Sequence, residues 1–307
     1  MANELVTRIK DDGSRELIAR EYWRSHGTLR VIRRYTPFWL RRALRTPYLF
    51  ALDSVDLVLG RRSDMVPPRY LNYADSGGYT EQGKEFLVYY KQRCGLQPHH
   101  RVLDVGSGIG RMAVPMTGYL TTGSYEGLDI VRSGIRWCQH HISNKYPRFR
   151  FQIADIYNKQ YNPRGKYKPG EYRFPFSDAE FDLTIMISLF THMLTSDLDH
   201  YLSEVSRVLK PGAKCLITYF LLDDEAKRRV AAGTAAVPFD HKLEGCWTSD
   251  PVTPETAVGY DPAMLVPLYQ KHSLVPDAIH YGAWSGRSDY LSYQDIIIAT
   301  KRSGVLT

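Results

Sequence analysis

The run Val102-Leu103-Asp104-Val105-Gly106-Ser107-Gly108-Ile109-Gly110 constrains this 307-residue chain more than any other stretch. A short apolar strand ends at Val105, glycines follow at alternate positions, and a helical pattern begins at Arg111. Glycine there lets the backbone turn tightly and lets a ligand lie against it with no Cβ between. The remaining pattern agrees with such a strand–turn–helix unit. Further strands are expected at Ser124–Ile130, Phe149–Ala154, Phe181–Ser188, Ala213–Phe220 and Asp295–Thr300. Helices are expected at Glu81–Cys94, Arg111–Leu120, Ser133–Lys145, Leu198–Leu209 and Ala263–His272. Gly95 sits where a helix C-cap belongs. The apolar run from Phe181 suits a strand covered on both faces. Alternating strand and helix predict an α/β fold, a doubly wound, mostly parallel seven-stranded sheet.

Composition sets outer limits. Hydrophobic residues make up 43% and aromatic residues 12% of the chain, enough for a sizeable core. No apolar run reaches the roughly 18–20 residues of a spanning helix. Met1–Lys10 does not read as a signal peptide, so a cytoplasmic location is expected, with peripheral membrane contact as a variant. Cys94, Cys138, Cys215 and Cys246 form no CxxC pair and read as small packing residues. The adjacent pairs His99-His100 and His140-His141 diverge on a strand or a helix, so no metal site is expected.

The net charge of +7 is uneven. Residues 1–70 hold thirteen Arg and one Lys against eight acids, a net +6, which leaves +1 for the rest. Residues 1–75 read as a basic, amphipathic helical extension, punctuated at Pro37 and Pro47. Residues 76–302 read as the Rossmann-like domain, with insertions at 157–178 and 221–261. Three roles compete for the extension: a lid over the site, a face that lies on an anionic membrane through residues 15–50, or an RNA contact. Nucleic acid ranks last, because no RNA-binding motif is present and the core domain is nearly neutral.

A dinucleotide loop would read G-x-G-x-x-G, but the third glycine position here holds Arg111. Asp104 would repel a pyrophosphate yet could face a cationic amino-acid group. With these residues, Tyr79 to Lys301 resembles the class I S-adenosylmethionine-dependent methyltransferases, whose first motif is matched in full. The resemblance implies S-adenosyl-L-methionine as cofactor. It implies that Asp104 helps hold the methionine part, that Gly106, Gly108 and Gly110 make room for the ligand, and that Ser107 between them belongs to the cofactor-binding turn. Asp129, ending the second strand beside Ile130, is expected to accept both ribose hydroxyls, since a carboxylate accepts two donors at once. Glu126 is the weaker candidate for that role. Ala154, Asp155 and Ile156 end the third strand, where the adenine is expected, and Ser188 ends the fourth. Lys210-Pro211-Gly212 before the fifth strand is also common in the family.

Methyl transfer to a hydroxyl needs a base, and the acceptor must lie within roughly 3–3.5 Å of the methyl. His192 follows the fourth strand and is the candidate. The insertions supply candidate acceptor contacts: Tyr157 and Tyr161 in the first; Asp240, His241, Trp247 and Tyr260 in the second. Aromatic rings beside polar groups suit a saccharide, glycolipid or natural-product hydroxyl. Other readings are N-methylation of a small amine, methylation of tRNA or rRNA, and a non-catalytic nucleotide-binding scaffold.

Overall fold

The computed structural model describes residues 38–60, 63–71, 78–159 and 161–302, with side chains from residue 46 onward. The chain divides into two units, Met1–Tyr48 and Leu49–Thr307, and the second carries the whole sheet. Residues 15–37, where most of the expected membrane or RNA contact falls, lie outside the described residues.

Helix α1 runs from Phe38 to Val58, with Pro47 inside it. The chain therefore does not break at Pro47, where punctuation was expected. Helix α2, Tyr79–Arg93, follows; its last turn carries Lys91 and Arg93, and Gly95 just beyond adopts φ +70°.

The main sheet has seven strands: β1 Arg101–Val105, β2 Ser124–Asp129, β3 Phe149–Ile153, β4 Phe181–Met186, β5 Leu209–Tyr219, β9 Leu274–His280 and β10 Asp295–Lys301. Their order is β3-β2-β1-β4-β5-β10-β9, with only β10 running against its neighbours. This is the expected Rossmann-like, mostly parallel sheet. Sequence order reverses between β1 and β4, so the ends of β1, β2 and β4 open a crevice at the carboxyl edge.

The core lies on both faces. Leu103, Val105 and Met186 pack against α5, Thr195–Val208, through Leu198, Leu202 and Val205. Val102, Leu183 and Ile185 face the opposite way, onto Tyr90 of α2 and Ile135 of α4, Arg132–Cys138. Each such side chain, fully buried, contributes roughly 1.5–3 kcal/mol. Alternation puts Asp104 on the same side as Val102, below the glycine turn.

Several elements depart from expectation. Regular helix after the glycine turn is only α3, Ala113–Met116, not Arg111–Leu120. Helix α4 passes into a π-turn over Gln139–Ser143. Lys210-Pro211-Gly212 lies within β5, next to an irregularity in its pairing with β4. The second insertion holds α6, Asp224–Ala231, and a small antiparallel sheet of β6 His241–Leu243, β7 Cys246–Thr248 and β8 Val258–Gly259. Helix α7, Pro262–Lys271, then leads into β9.

Candidate functional site

The glycine turn hangs from β2. The Gly106 and Ser107 N–H groups both donate to the Leu128 carbonyl, at 2.7 and 3.1 Å, and Gly110 N–H donates to the Ser107 carbonyl. Gly108 N–H donates to Asp129 Oδ2 at 2.7 Å, and Val131 N–H to Asp129 Oδ1 at 2.8 Å. Asp129 therefore orders both the turn and its own strand exit before any ligand arrives. Gly106, Gly108 and Gly110 all have positive φ, at +83°, +58° and +79°.

The glycines differ in what they make room for. A Cβ on Gly110 would stand 2.6 Å from Ile142 Cδ1 and 3.0 Å from Cys138 Sγ. That glycine serves helix packing rather than the cofactor space expected of it. Gly106 faces Leu189, the residue after Ser188, so the β4 exit closes over the turn. Ser107 is buried, and its Oγ would lie 2.9 Å from a Cβ at Gly127. Its hydroxyl thus points towards β2 and has no partner, while its backbone serves the turn.

Asp104 is buried below the turn. Tyr125 O–H donates to its Oδ2, while Oδ1 has no partner. Burial pushes the Asp104 pKa up to about 7. The Tyr125 hydrogen bond opposes that shift, the nearby Asp129 charge adds to it, and Arg111 lowers it. Tyr125 was not legible as a site residue, because its contact with Asp104 depends on the pairing of β1 with β2. Glu126 is engaged elsewhere: its Oε1 pairs with Arg101 and Arg150.

At the β3 exit, Ala154 and Ile156 are buried and Asp155 is half-buried, 3.9 Å from Arg132. Ile130 is half-buried beyond β2. The first insertion folds back on this exit: Tyr167 N–H donates to the Asp155 carbonyl and Tyr157 N–H to the Tyr167 carbonyl. Tyr161 is exposed, and the protein around it, then the Asp129 charge, raise its pKa. Tyr157 is exposed.

At the β4 exit Ser188 holds φ +57°, a backbone state that costs a non-glycine residue roughly 1–2 kcal/mol. Its N–H donates to Thr218 Oγ1 at 2.7 Å and its Oγ to Gln294 Oε1 at 2.9 Å, bonds that hold it there. His192 closes a 3₁₀ turn, Phe190–His192. Its Nδ1 lies 2.8 Å from the Glu255 carbonyl oxygen. A carbonyl only accepts, so the neutral ring carries its proton on Nδ1 and keeps the Nε2 lone pair. His192 keeps an exposed face, yet the protein around it withdraws enough water to lower its pKa, against hydrogen bonds to the Glu255 and Thr256 backbone.

The second insertion meets this exit at three points: the Glu255 bond, a 3.2 Å bond from Thr195 Oγ1 to the Glu244 carbonyl, and Tyr260. Tyr260 is fully buried, and its O–H donates to the Phe190 and Met193 carbonyls. It braces the His192 turn from below, so the acceptor contact expected of it is replaced by a structural one. Asp240 and His241 are exposed. Trp247 is half-buried, with the ammonium groups of Lys227 and Lys242 5.4 and 5.6 Å from its ring centre.

A glycine turn closed on an acid at the end of β2, with a second acid buried below, defines a Rossmann-like domain for a nucleoside-bearing cofactor with a cationic part. The sequence matches the methyltransferase domain family over residues 96–257, just over half of the chain, and the chain belongs to that family. Among similar proteins is the phthiotriol/phenolphthiotriol dimycocerosates methyltransferase 1 of Mycobacterium ulcerans, 33% identical over 38% of this chain and 36% of its own length. Another is the fatty-acid O-methyltransferase of Mycolicibacterium smegmatis, 31% identical over 42% of this chain and 38% of its own. The chain thus spans little more than a third of the length of these two relatives. The PH0226 protein of Pyrococcus horikoshii shares the fold, with a TM-score of 0.50 and 14% identity over 76% of this chain and 95% of its own.

The family's cofactor is S-adenosyl-L-methionine. The residues present fit it: the buried, unpartnered Asp104 Oδ1 lacks one donor, which a cationic amino group would supply, and the turn above carries no Cβ at Gly106 or Gly108.

Proposed function

We propose that this chain transfers a methyl group from S-adenosylmethionine to a hydroxyl on a lipid or glycolipid acceptor, with His192 as general base. The observation that carries the reading is the His192–Glu255 contact, which leaves Nε2 as the proton acceptor at the carboxyl edge of the sheet. The lowered pKa keeps that nitrogen unprotonated at neutral pH. The choice of a lipid class is supported by the fatty-acid O-methyltransferase among the relatives.

Asp129, the glycine-turn backbone and Asp104 would hold the cofactor, and the β3 exit around Ala154 and Ile156 would cover its base. When bound, S-adenosylmethionine would supply an electrophilic methyl on a sulfonium, with a neutral thioether as the leaving group. Leu189 and the Phe190–His192 turn close the site from the β4 side. His192 Nε2 takes the hydroxyl proton as the oxygen attacks, and the Glu255 carbonyl steadies the imidazolium that forms. Trp247 and the exposed Tyr157, Tyr161, Asp240 and His241 are the groups available to the acceptor.

Transfer of labelled methyl from S-adenosylmethionine tests this on three acceptor pools: hydroxylated lipids and glycolipids, small amines, and tRNA. Label should enter the first. His192→Ala should lower the rate by roughly 10²–10⁴, the range of general base catalysis, with cofactor affinity unchanged. Label in amines or tRNA, or a His192→Ala rate within a few fold of the original, would overturn the reading.

A further inference from the structure

The stretch Leu49–Gly60, at the end of α1, exposes what soluble helices bury. Phe50, Val55, Leu57, Val58 and Leu59 are 57%, 52%, 64%, 85% and 53% exposed. The only charged residues between Leu49 and Gly60, Asp53 and Asp56, turn inward. Asp53 is buried, Asp56 Oδ2 lies 2.6 Å from an Arg69 nitrogen, and Asp53 Oδ1 lies 3.4 Å from the same atom. Tyr70 N–H also donates to Asp53. Arg69 thus pins the acids to the protein side, and the outward face carries no charge. Isolated exposed apolar residues are ordinary, but five large apolar side chains within ten residues, each more than half exposed and with no outward charge among them, mark a contact surface.

We infer that this face lies on an anionic lipid surface. Two observations choose lipid over protein or RNA. Between Leu49 and Gly60 the outward arc has one polar side chain, Ser54, and its hydroxyl is spent on the Phe50 carbonyl at 2.8 Å, so the face offers a specific protein or RNA partner nothing to hydrogen-bond. The sequence leading into it carries ten Arg and one Lys against five acids in residues 1–50, a charge that complements anionic headgroups. Among the described residues no helix is long and apolar enough to cross a membrane, so the contact is peripheral. The inference stands apart from acceptor chemistry: vesicle binding needs no turnover, and methyl transfer to a detergent-dispersed acceptor needs no vesicle.

Sedimentation of the full chain with phosphatidylcholine vesicles, with and without phosphatidylserine, tests it beside Val55→Asp/Val58→Asp. The original chain should sediment with the phosphatidylserine vesicles, less with phosphatidylcholine alone and less at high salt. The variant should lose tenfold or more of the bound fraction while its melting temperature and S-adenosylhomocysteine affinity stay unchanged. Failure of the original chain to bind, or equal binding by the variant, overturns the inference. A dimer that the variant dissociates would assign the face to a second copy. A lowered melting temperature would assign it to the chain's own N-terminal segment. Either result also overturns it.

Discussion

Two buried aspartates stand near the carboxyl edge of the sheet and are treated in opposite ways. Asp295 opens β10 and gathers three donors: Leu221 N–H at 2.5 Å, Gly282 N–H at 2.6 Å and Trp284 Nε1–H at 2.6 Å. It binds the β5 exit, the β9 exit and the start of β10 into one frame. Asp104 has one donor, Tyr125, and an oxygen left without any. A buried carboxylate whose hydrogen bonds are complete is part of the scaffold. One that is a donor short, next to a turn of bare backbone, is a place where a ligand finishes the structure.

The largest effect should come from breaking the complete one. Asp295→Ala would orphan three buried N–H groups, each costing about 1–3 kcal/mol, so a loss of roughly 3–9 kcal/mol in denaturant unfolding is expected. A loss under about 1 kcal/mol would remove Asp295 from the frame and the comparison with it. Asp129→Ala sharpens the contrast from the ligand side. It frees the Gly108 and Val131 N–H groups to water and removes the proposed ribose acceptor. Calorimetric titration should show S-adenosylhomocysteine affinity reduced by roughly 2–3 kcal/mol, with a smaller change in stability. The opposite pattern would make Asp129 scaffold like Asp295.

The two aspartates were unequally legible in the sequence. Asp104 sits inside a contiguous motif whose glycines announce a tight turn, so its neighbourhood could be read locally. The donors to Asp295 lie 74, 13 and 11 residues away and are gathered only by the antiparallel β10. The central strands were legible because burial on both faces enforces apolar runs, as in Phe181–Met186. Edge strand β9, Leu274–His280, carries Pro276 and Asp277 and is only partly covered, so no such run marks it. The short α3 reads as a longer helix because its flanking turns share the same apolar residues. Tyr260 was misplaced because an aromatic in an insertion suggests a pocket wall, whereas its hydroxyl meets the Phe190 and Met193 carbonyls across the fold.

The smallest predicted effect separates the two aspartates by pH. Burial raises both pKa values to about 7, above the roughly 3.9 of an unfolded aspartate. The folded chain therefore holds protons that the unfolded chain has released, and the ligand-free protein should lose stability as pH rises from about 4 to about 7. Both residues share that trend, so stability alone cannot distinguish them. Cofactor affinity can. A cationic amino group beside Asp104 favours its carboxylate, so S-adenosylmethionine should bind more tightly as pH rises towards 7, by at most roughly tenfold per unit, and level off above it. Asp104→Asn still accepts the Tyr125 hydrogen bond and carries no titrating proton. It should bind the cofactor about tenfold more weakly above pH 7 and show a flat profile below it. If the slope survives in Asp104→Asn, the proton belongs to another group, and the unpartnered oxygen below the glycine turn is not where the cofactor's charge is met.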